Sequence, residues 1–381
     1  MYDFLLIGPL DVSNKMFWGA FKRTEILLQL LNKLGGNVYL LPTINSNGSA
    51  IYKKKSRIVN DRIYLKNPCD VTLYKYSSGE FIPKGIEEIG DRRDLIIVCR
   101  YLDGYFLFKK IAARHFPKLF DNAIIVDIDD NPFDLYAGHK WFFKRIWYKM
   151  ILEKHRLRIS GLLFSGFGQD AEFLDYKRMV IPNYIINSND STDCHLTCKN
   201  SEAAIINILF VGNLKHQPNW LGLIWFMDQV YLKLHTNKYL LTVVGDAWDR
   251  QTLIIGSKTN NAVHLRNISE SELNDLYLKT DVVIVPILSG AGSCIKTLEA
   301  YFKGAKILST RSGVRGIRDT DLLDKIAVSD SVDFWQGYLN AFKVIQNKSG
   351  ITYDNNDYNY NKIYEDLVNY LHDIFSINSK L

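Results

Sequence analysis

Cysteine is scarce and scattered in this chain. The 381 residues hold five, at positions 69, 99, 194, 198 and 294. An odd number without regular spacing argues against a disulfide framework and for a reducing compartment. Cys194, His195 and Cys198 lie close together, but no second ligand pair follows, so they read as unpaired thiols in a loop. Long apolar runs are missing too. The run that comes closest, Trp220 to Met227, ends at Asp228 and is too short to span a bilayer. No positive stretch precedes the first apolar residues, and Asp3 interrupts them, so Tyr2 to Ile7 reads as a strand, not a signal peptide. Basic repeats, zinc-finger spacings and RNA-binding aromatic motifs are absent. A net charge of +6 is no nucleic-acid signature. The expectation is a cytoplasmic protein without a nucleic-acid partner.

What the chain does have is alternation. With 47% hydrophobic residues, its length suits about two domains, each with a core. Tyr2–Ile7, Asn37–Leu41, Asp94–Cys99, Ala123–Asp127 and Gly161–Phe164 read as strands. Trp18–Leu34, Tyr105–Phe116, Trp141–Arg158 and Gly168–Tyr176 read as helices. Residues 45–90 are irregular and polar and suit hairpins and insertions. Residues 186–204 are polar and turn-rich and read as a linker. From Ile205 the βαβα pattern resumes, which predicts parallel sheets with helices on both faces. Acidic residues ending a buried parallel strand fall at a crevice, which singles out Asp127 and Asp129. Trp18 and Arg23, after the first strand, and Arg100, after the third, are further candidates facing such a crevice. The same residues also suit an ordinary strand turn and a capped helix.

The segment from Asp281 to Gly316 carries the most chemistry. Apolar Val282 to Val285 stops at Pro286, and Ser289-Gly290-Ala291-Gly292 leads into a helix-like stretch with Lys296 and Glu299. Ser293 suits the N-cap. Backbone N–H groups around Ser293 and Cys294, together with the helix dipole, favour an anion there. Gly290 and Gly292 let the backbone approach a ligand. Lys296 reaches a phosphate, and Glu299, three residues on, can accept hydrogen bonds from a ribose diol. A glycine turn before a core helix, with Lys296 and Glu299 merely solvated, explains the same residues.

Gly290, Gly292, Lys296, Leu298-Glu299-Ala300, Gly304, Thr310, Gly313 and Gly316 together resemble the donor-site signature of family 4 glycosyltransferases with the GT-B fold. The resemblance extends upstream. Ile208 to Leu214 with Pro218-Asn219, Leu241 to Asp246, and Val263-His264-Leu265 with Ser271-Glu272-Leu273 are similar to that family's first three C-terminal strands and their turns. It implies an α/β protein of two Rossmann-like doubly wound parallel-sheet domains facing across a cleft. The acceptor-side domain would span 1–185 and the nucleotide-sugar domain 205–355, with a final helix at 356–381 packing back on the first. It also implies transfer of a sugar, with retention, from a nucleoside diphosphate sugar to a saccharide or lipid-linked glycan in cell-surface polysaccharide synthesis. Neither cofactor nor metal is implied. Asn213, Lys215 and Arg315 join the donor-side candidates, and Asp127 becomes the candidate for proton transfer.

The departures from that pattern are specific. The first of the family's paired glutamates falls at Ala291, and an Arg and a Lys of its first C-terminal loop fall at Asn213 and Pro218. Lys215, His216, Lys296 and Arg315 are the available replacements. These losses leave two rivals: a non-catalytic GT-B-like partner of another transferase, and a nucleotide-sugar epimerase. A nicotinamide dehydrogenase is disfavoured, because Gly290-Ala291-Gly292 lacks the third glycine. Separately, Lys140 to Arg158 combines cations with Phe143, Ile146, Trp147 and Met150. That pattern suits either a domain helix with a solvated basic side or peripheral contact with the inner face of the cell membrane.

Overall fold

The computed structural model describes residues 2–9, 19–43, 52–54, 63–65, 72–77, 80–129, 142–171, 173–183, 205–234, 236–290, 293–318, 323–342 and 358–378. Trp18, Gly292 and the 186–204 segment lie outside the described residues. The chain divides into two compact units. Unit 1 comprises Met1–Ile185 and Tyr358–Leu381, and unit 2 comprises Ile186–Asp357.

Unit 1 contains β1 (Asp3–Gly8), β2 (Val38–Pro42), a separate small pair β3 (Tyr52–Lys54) and β4 (Ile63–Leu65), then β5 (Leu73–Ser77), β6 (Glu80–Lys84), β7 (Leu95–Arg100), β8 (Ala123–Ile128), β9 (Gly161–Phe164) and β10 (Arg178–Val180). Its main sheet runs β10-β9-β8-β7-β1-β2-β5-β6. Only the β5–β6 hairpin, from the polar 45–90 region, joins antiparallel. β7 and β8 are buried along their whole length, because a parallel sheet covered on both faces needs continuous apolar strands. Strand alternation divides the core in two. Leu5 and Ile7 of β1 face one side with Leu102, Phe108 and Ile111 of the helix Tyr101–His115. Phe4 and Leu6 face the other, with Leu27, Leu30 and Leu31 of the helix Gly19–Lys33. That second core also takes in Ile363, Leu367, Tyr370, Leu371 and Ile374 of the last helix, Tyr360–Asn378. Tyr370 donates its hydroxyl to the Leu162 carbonyl at 3.1 Å. Only a glycine fits at 161, since a Cβ there would lie 2.1 Å from that hydroxyl oxygen.

The helix expected over Gly168–Tyr176 does not form; its described residues are turns and bends. Gly168 has φ +81, in the left-handed region, so a helix cannot begin at that residue. The helix expected from Tyr105 begins earlier, at Tyr101, whose φ of +59 turns the chain directly out of β7.

Unit 2 contains β11 (Ile206–Val211), β12 (Tyr239–Val244), β13 (Ala262–Leu265), β14 (Val282–Val285), β15 (Ile307–Ser309) and β16 (Ile326–Val328), all parallel. They run β13-β12-β11-β14-β15-β16. Phe210, Phe226, Tyr231 and Trp335 anchor its core. Ser269 caps the helix Glu270–Lys279, accepting from the Glu272 N–H while Glu272 accepts from the Ser269 N–H. Both sheets are doubly wound, as the sequence pattern and the resemblance predict.

His155 packs edge-on against Tyr105 in unit 1. Burial, then the charges of Lys109, Lys154 and Arg158, lower its pKa from 6.5 to about 4. The folded imidazole stays neutral where the unfolded one takes a proton. Its contribution to stability is therefore complete above pH 6.5 and is lost as pH falls towards 4. Urea titrations across that window should give a shallower pH slope for His155→Phe than for the wild type.

Candidate functional site

A ligand crevice forms in an open parallel sheet where the strand order reverses, outside the carboxyl ends of the two strands that diverge. In unit 2 those strands are β11 and β14. Gly212 follows β11, and a Cβ on it would lie 2.8 Å from Cε of Lys296. The Lys296 side chain, projecting from the helix Ile295–Phe302, therefore lies across the end of β11. A glycine leaves the space for it.

After β14 the chain reaches Gly290 at φ +151, where a Cβ would stand 2.9 Å from Nη2 of Arg315. Arg315 is half-buried. Its Nη1 donates to the Ser312 carbonyl at 2.5 Å, and its own carbonyl accepts from the Cys294 N–H at 3.2 Å. Thr297 donates to the Gly313 carbonyl, and Thr310 to the Ile287 carbonyl. These bonds tie the loop after β15 to the glycine loop and to the helix start.

His216 stands just before the helix Gln217–Gln229. Its pKa is lowered by desolvation and then by the charges of Lys296 and Arg315. The same electrostatic coupling places all three groups in one neighbourhood. Among the described residues no carboxylate pairs with Lys296. Glu299, one turn along, is likewise half-buried, and its carboxylate has no side-chain partner among the described residues. Cations at the start of a helix, with a carboxylate nearby, suit a ligand holding both phosphate and diol.

Two of the expected donor contacts are occupied otherwise. Lys215 turns away to Asp246 at 2.6 Å and lies 4.5 Å from the ring centroid of Trp248. Asn213 shapes the turn: its side-chain oxygen accepts from the Lys215 N–H at 2.9 Å, and its carbonyl accepts from Asn219 Nδ2 at 2.8 Å. The cap position expected at Ser293 falls to Cys294, which is buried and makes no side-chain cap bond.

Unit 1 has its own reversal point, between β1 and β7. There the candidates Arg23, Arg100, Asp127 and Asp129 come together, but as a buried network. Arg23 donates to Asp127 at 2.6 Å, and Arg100 donates to Asp127 at 2.9 Å and to Asp129 at 2.8 Å. Arg23 also donates to the carbonyls of Ile181 and Phe164. Asp129 accepts from Asn183 at 2.7 Å and from Tyr101 at 3.0 Å. Burial would raise the Asp129 carboxyl, but Arg100, Arg23 and these hydrogen bonds hold it below its usual value. Gly8 makes room, since a Cβ on it would lie 2.8 Å from Cγ of Arg100. The sequence pointed to the four charges and to Tyr101 beside Arg100, but carried no signal for Thr24 or Asn183, which complete the network.

Among the described residues, no group of three or more His, Cys, Asp or Glu side chains could hold a metal ion, and no helix is long and apolar enough to cross a membrane.

Residues 206–340 match the family described as Glycosyl transferases group 1. A further relative, an uncharacterized 44.6 kDa protein in the cps region of Klebsiella pneumoniae, is 30% identical over 155 residues. That match covers 39% of this chain and 40% of the relative. Among solved structures, a glycosyltransferase from Rickettsia africae is similar at 15% identity, covering 98% of both chains with a TM-score of 0.60. The sucrose-phosphate synthase of Thermosynechococcus elongatus is similar at 13% identity, covering 99% of this chain and all of that one, with a TM-score of 0.61. These likenesses establish a GT-B fold.

The buried network leads to a stability prediction. Asp127→Asn removes the negative charge between two buried guanidinium groups and should cost about 3–5 kcal/mol in chemical denaturation. A variant as stable as the wild type would refute this structural role.

Proposed function

We propose that this chain, which carries a group 1 glycosyl transferase domain on a GT-B frame, moves a sugar from a nucleoside diphosphate sugar to a saccharide or lipid-linked glycan. The observation that carries the reading is the convergence of Lys296, Arg315 and His216 at the β11–β14 reversal point, with Glu299, unpaired among the described residues, beside it. In transfer, the bond from the anomeric carbon to the diphosphate oxygen breaks as a bond to an acceptor hydroxyl forms. Negative charge grows on the departing diphosphate. Lys296, Arg315 and the backbone N–H groups at the start of the helix Ile295–Phe302 would hold that charge in fixed positions and lower the barrier. Glu299 would bind the ribose. The shaping bonds from Thr297 and Thr310 keep these groups in place before the donor arrives.

Asp127 takes a different role in this proposal from that of a proton acceptor. Its carboxylate is buried and spent on Arg23 and Arg100, and it is the one carboxylate that pairs with Arg23 among the described residues. We assign it to holding unit 1 together. Retention of configuration and a place in cell-surface polysaccharide synthesis belong to the same proposal. The relative in a cps region supports the second. A cytoplasmic location, peripheral to the inner face of the membrane, fits a lipid-linked acceptor.

A second reading is a non-catalytic partner of another transferase. It is favoured by Ala291 at the family's first glutamate position, and by Lys215 and Asn213 being occupied within the protein. A thermal-shift panel of nucleoside diphosphates and their sugars, without added metal, tests donor binding. Glu299→Ala should weaken binding roughly 10- to 100-fold, as expected for losing hydrogen bonds to a charged group. Lys296→Ala should weaken the diphosphate more than the nucleoside. Binding without release of nucleoside diphosphate in the presence of glycan acceptors would favour the non-catalytic partner. Unchanged affinity in both variants would remove this site from consideration.

A further inference from the structure

The apolar run Trp220 to Met227 lies within the helix Gln217–Gln229 of unit 2, and only half of it serves the core. Gly222, Leu223, Phe226 and Met227 are buried. Leu221 is 46% exposed, and Trp220, Ile224 and Trp225 keep part of their surface in solvent. At about 100° per residue, Leu221, Trp225 and Asp228 stand opposite Leu223, and Ile224 borders them. One edge of Trp225 rests on the buried Trp335, with 5.3 Å between ring centroids. A helix that covers a sheet ordinarily turns polar and charged groups outward, and one that is apolar all round is ordinarily buried.

The next helix, Asp249–Lys258, widens this face. β11, β12 and β13 are parallel neighbours, so the two helices that connect them run in the same direction on one side of the sheet. The Lys258 ammonium donates to Asp228 and joins the two helices. Ile224 and Ile254 each stand four residues before a member of that pair, one turn back on its own helix, and both are half-buried. Leu253 lies about 200° from the buried Ile255 and is 72% exposed. One exposed leucine needs no explanation, but Leu221, Ile224, Trp225, Leu253 and Ile254 on two adjacent helices mark an interaction surface.

Charge selects the occupant. The chain carries a net charge of +6, so two copies repel each other wherever unpaired charge meets unpaired charge. On this face Asp228 and Lys258 neutralise each other, and Arg250 stands at the rim, at the start of the second helix. A charged partner finds no complement here, whereas the same face on a second copy is complementary to it, and twofold pairing is the commonest closed assembly of identical chains. Leu221, Ile224, Trp225 and Asp228 are three, four and seven positions apart, the spacing at which the ridges of one helix fill the grooves of another. The 13 residues of the first helix span about 20 Å, and packed helices lie about 10 Å apart, so the two together offer a footprint of roughly 400 Å² per copy. That is near the lower limit for specific contacts, so the association is reversible.

We propose that this face of unit 2 joins two copies of the chain in a twofold dimer, with the two Gln217–Gln229 helices crossing antiparallel and Leu221 and Trp225 at the contact. The inference does not depend on the sugar-transfer reading.

Sedimentation velocity of the full chain tests it, over concentrations from about 1 to 200 µM. The mass should rise from 44.0 kDa towards twice that value as concentration increases. Added salt should not reverse the rise, because no ion pair crosses the contact. Leu221→Glu combined with Leu253→Glu sets like charges against each other in an apolar contact and should raise the dissociation constant roughly 30-fold or more. Both positions are exposed, so the thermal melt of the double variant at low concentration should match that of the wild type. A chain that stays monomeric throughout would overturn the proposal and leave the face to a different protein or to a lipid surface. A dimer that salt dissociates, or that the double variant forms as readily as the wild type, would overturn it as well. Nucleotide thermal shifts on the same preparation distinguish that failure from failure of the donor site.

Discussion

A parallel sheet whose strand order reverses must leave a gap between the two diverging loops, and what fills that gap decides what each half of this protein can do. Both units face this constraint. Unit 1 fills its gap with its own side chains. Arg100 leaves the end of β7, passes over Gly8 at the end of β1, and meets Asp127 and Asp129. Arg23 closes the arrangement from the helix Gly19–Lys33. Two guanidinium groups and two carboxylates balance in charge, and the carbonyls of Ile181 and Phe164, with Thr24, Tyr101 and Asn183, meet most of the remaining hydrogen-bonding needs. Such a network can exist away from water only when nearly every donor and acceptor is matched.

Unit 2 meets the same constraint in the opposite way. Its gap is bordered by Lys296, Arg315 and His216, with no balancing carboxylate paired to Lys296 among the described residues. The His216 imidazole, whose proton is discouraged by desolvation and then by Lys296 and Arg315, marks a positively charged corner of the unit. The loops around it are braced by hydrogen bonds from Thr297, Thr310 and the Cys294 N–H. A rigid frame of this kind positions groups before binding, which is where electrostatic stabilisation has its effect.

Much of this was legible in the chain itself. The βαβα alternation gave two doubly wound sheets because buried parallel strands must be apolar throughout. The segment after Val285 gave the helix with Lys296 in its first turn. The spacing of Lys296 and Glu299 required only helix geometry. The segment from Gly168 to Tyr176 forms turns where its composition suggests a helix, and the left-handed φ at Gly168 excludes a helix start there. Where Lys215 points was not legible, because sequence proximity to the glycine turn says nothing about Asp246, which is thirty-one positions away and takes its ammonium group.

The sequence by itself determined most of the elements, the sheet class and which charged residues lie at strand ends, since these follow from local periodicity and short-range sterics. Tertiary structure alone decided how those charges are used. Asp127 is neutralised because Arg23, 104 positions away, returns to it. Lys296 reaches β11 because Gly212 leaves it space. Both outcomes depend on long-range packing and on the strength of charge interactions away from water, and neither leaves a local pattern in the chain.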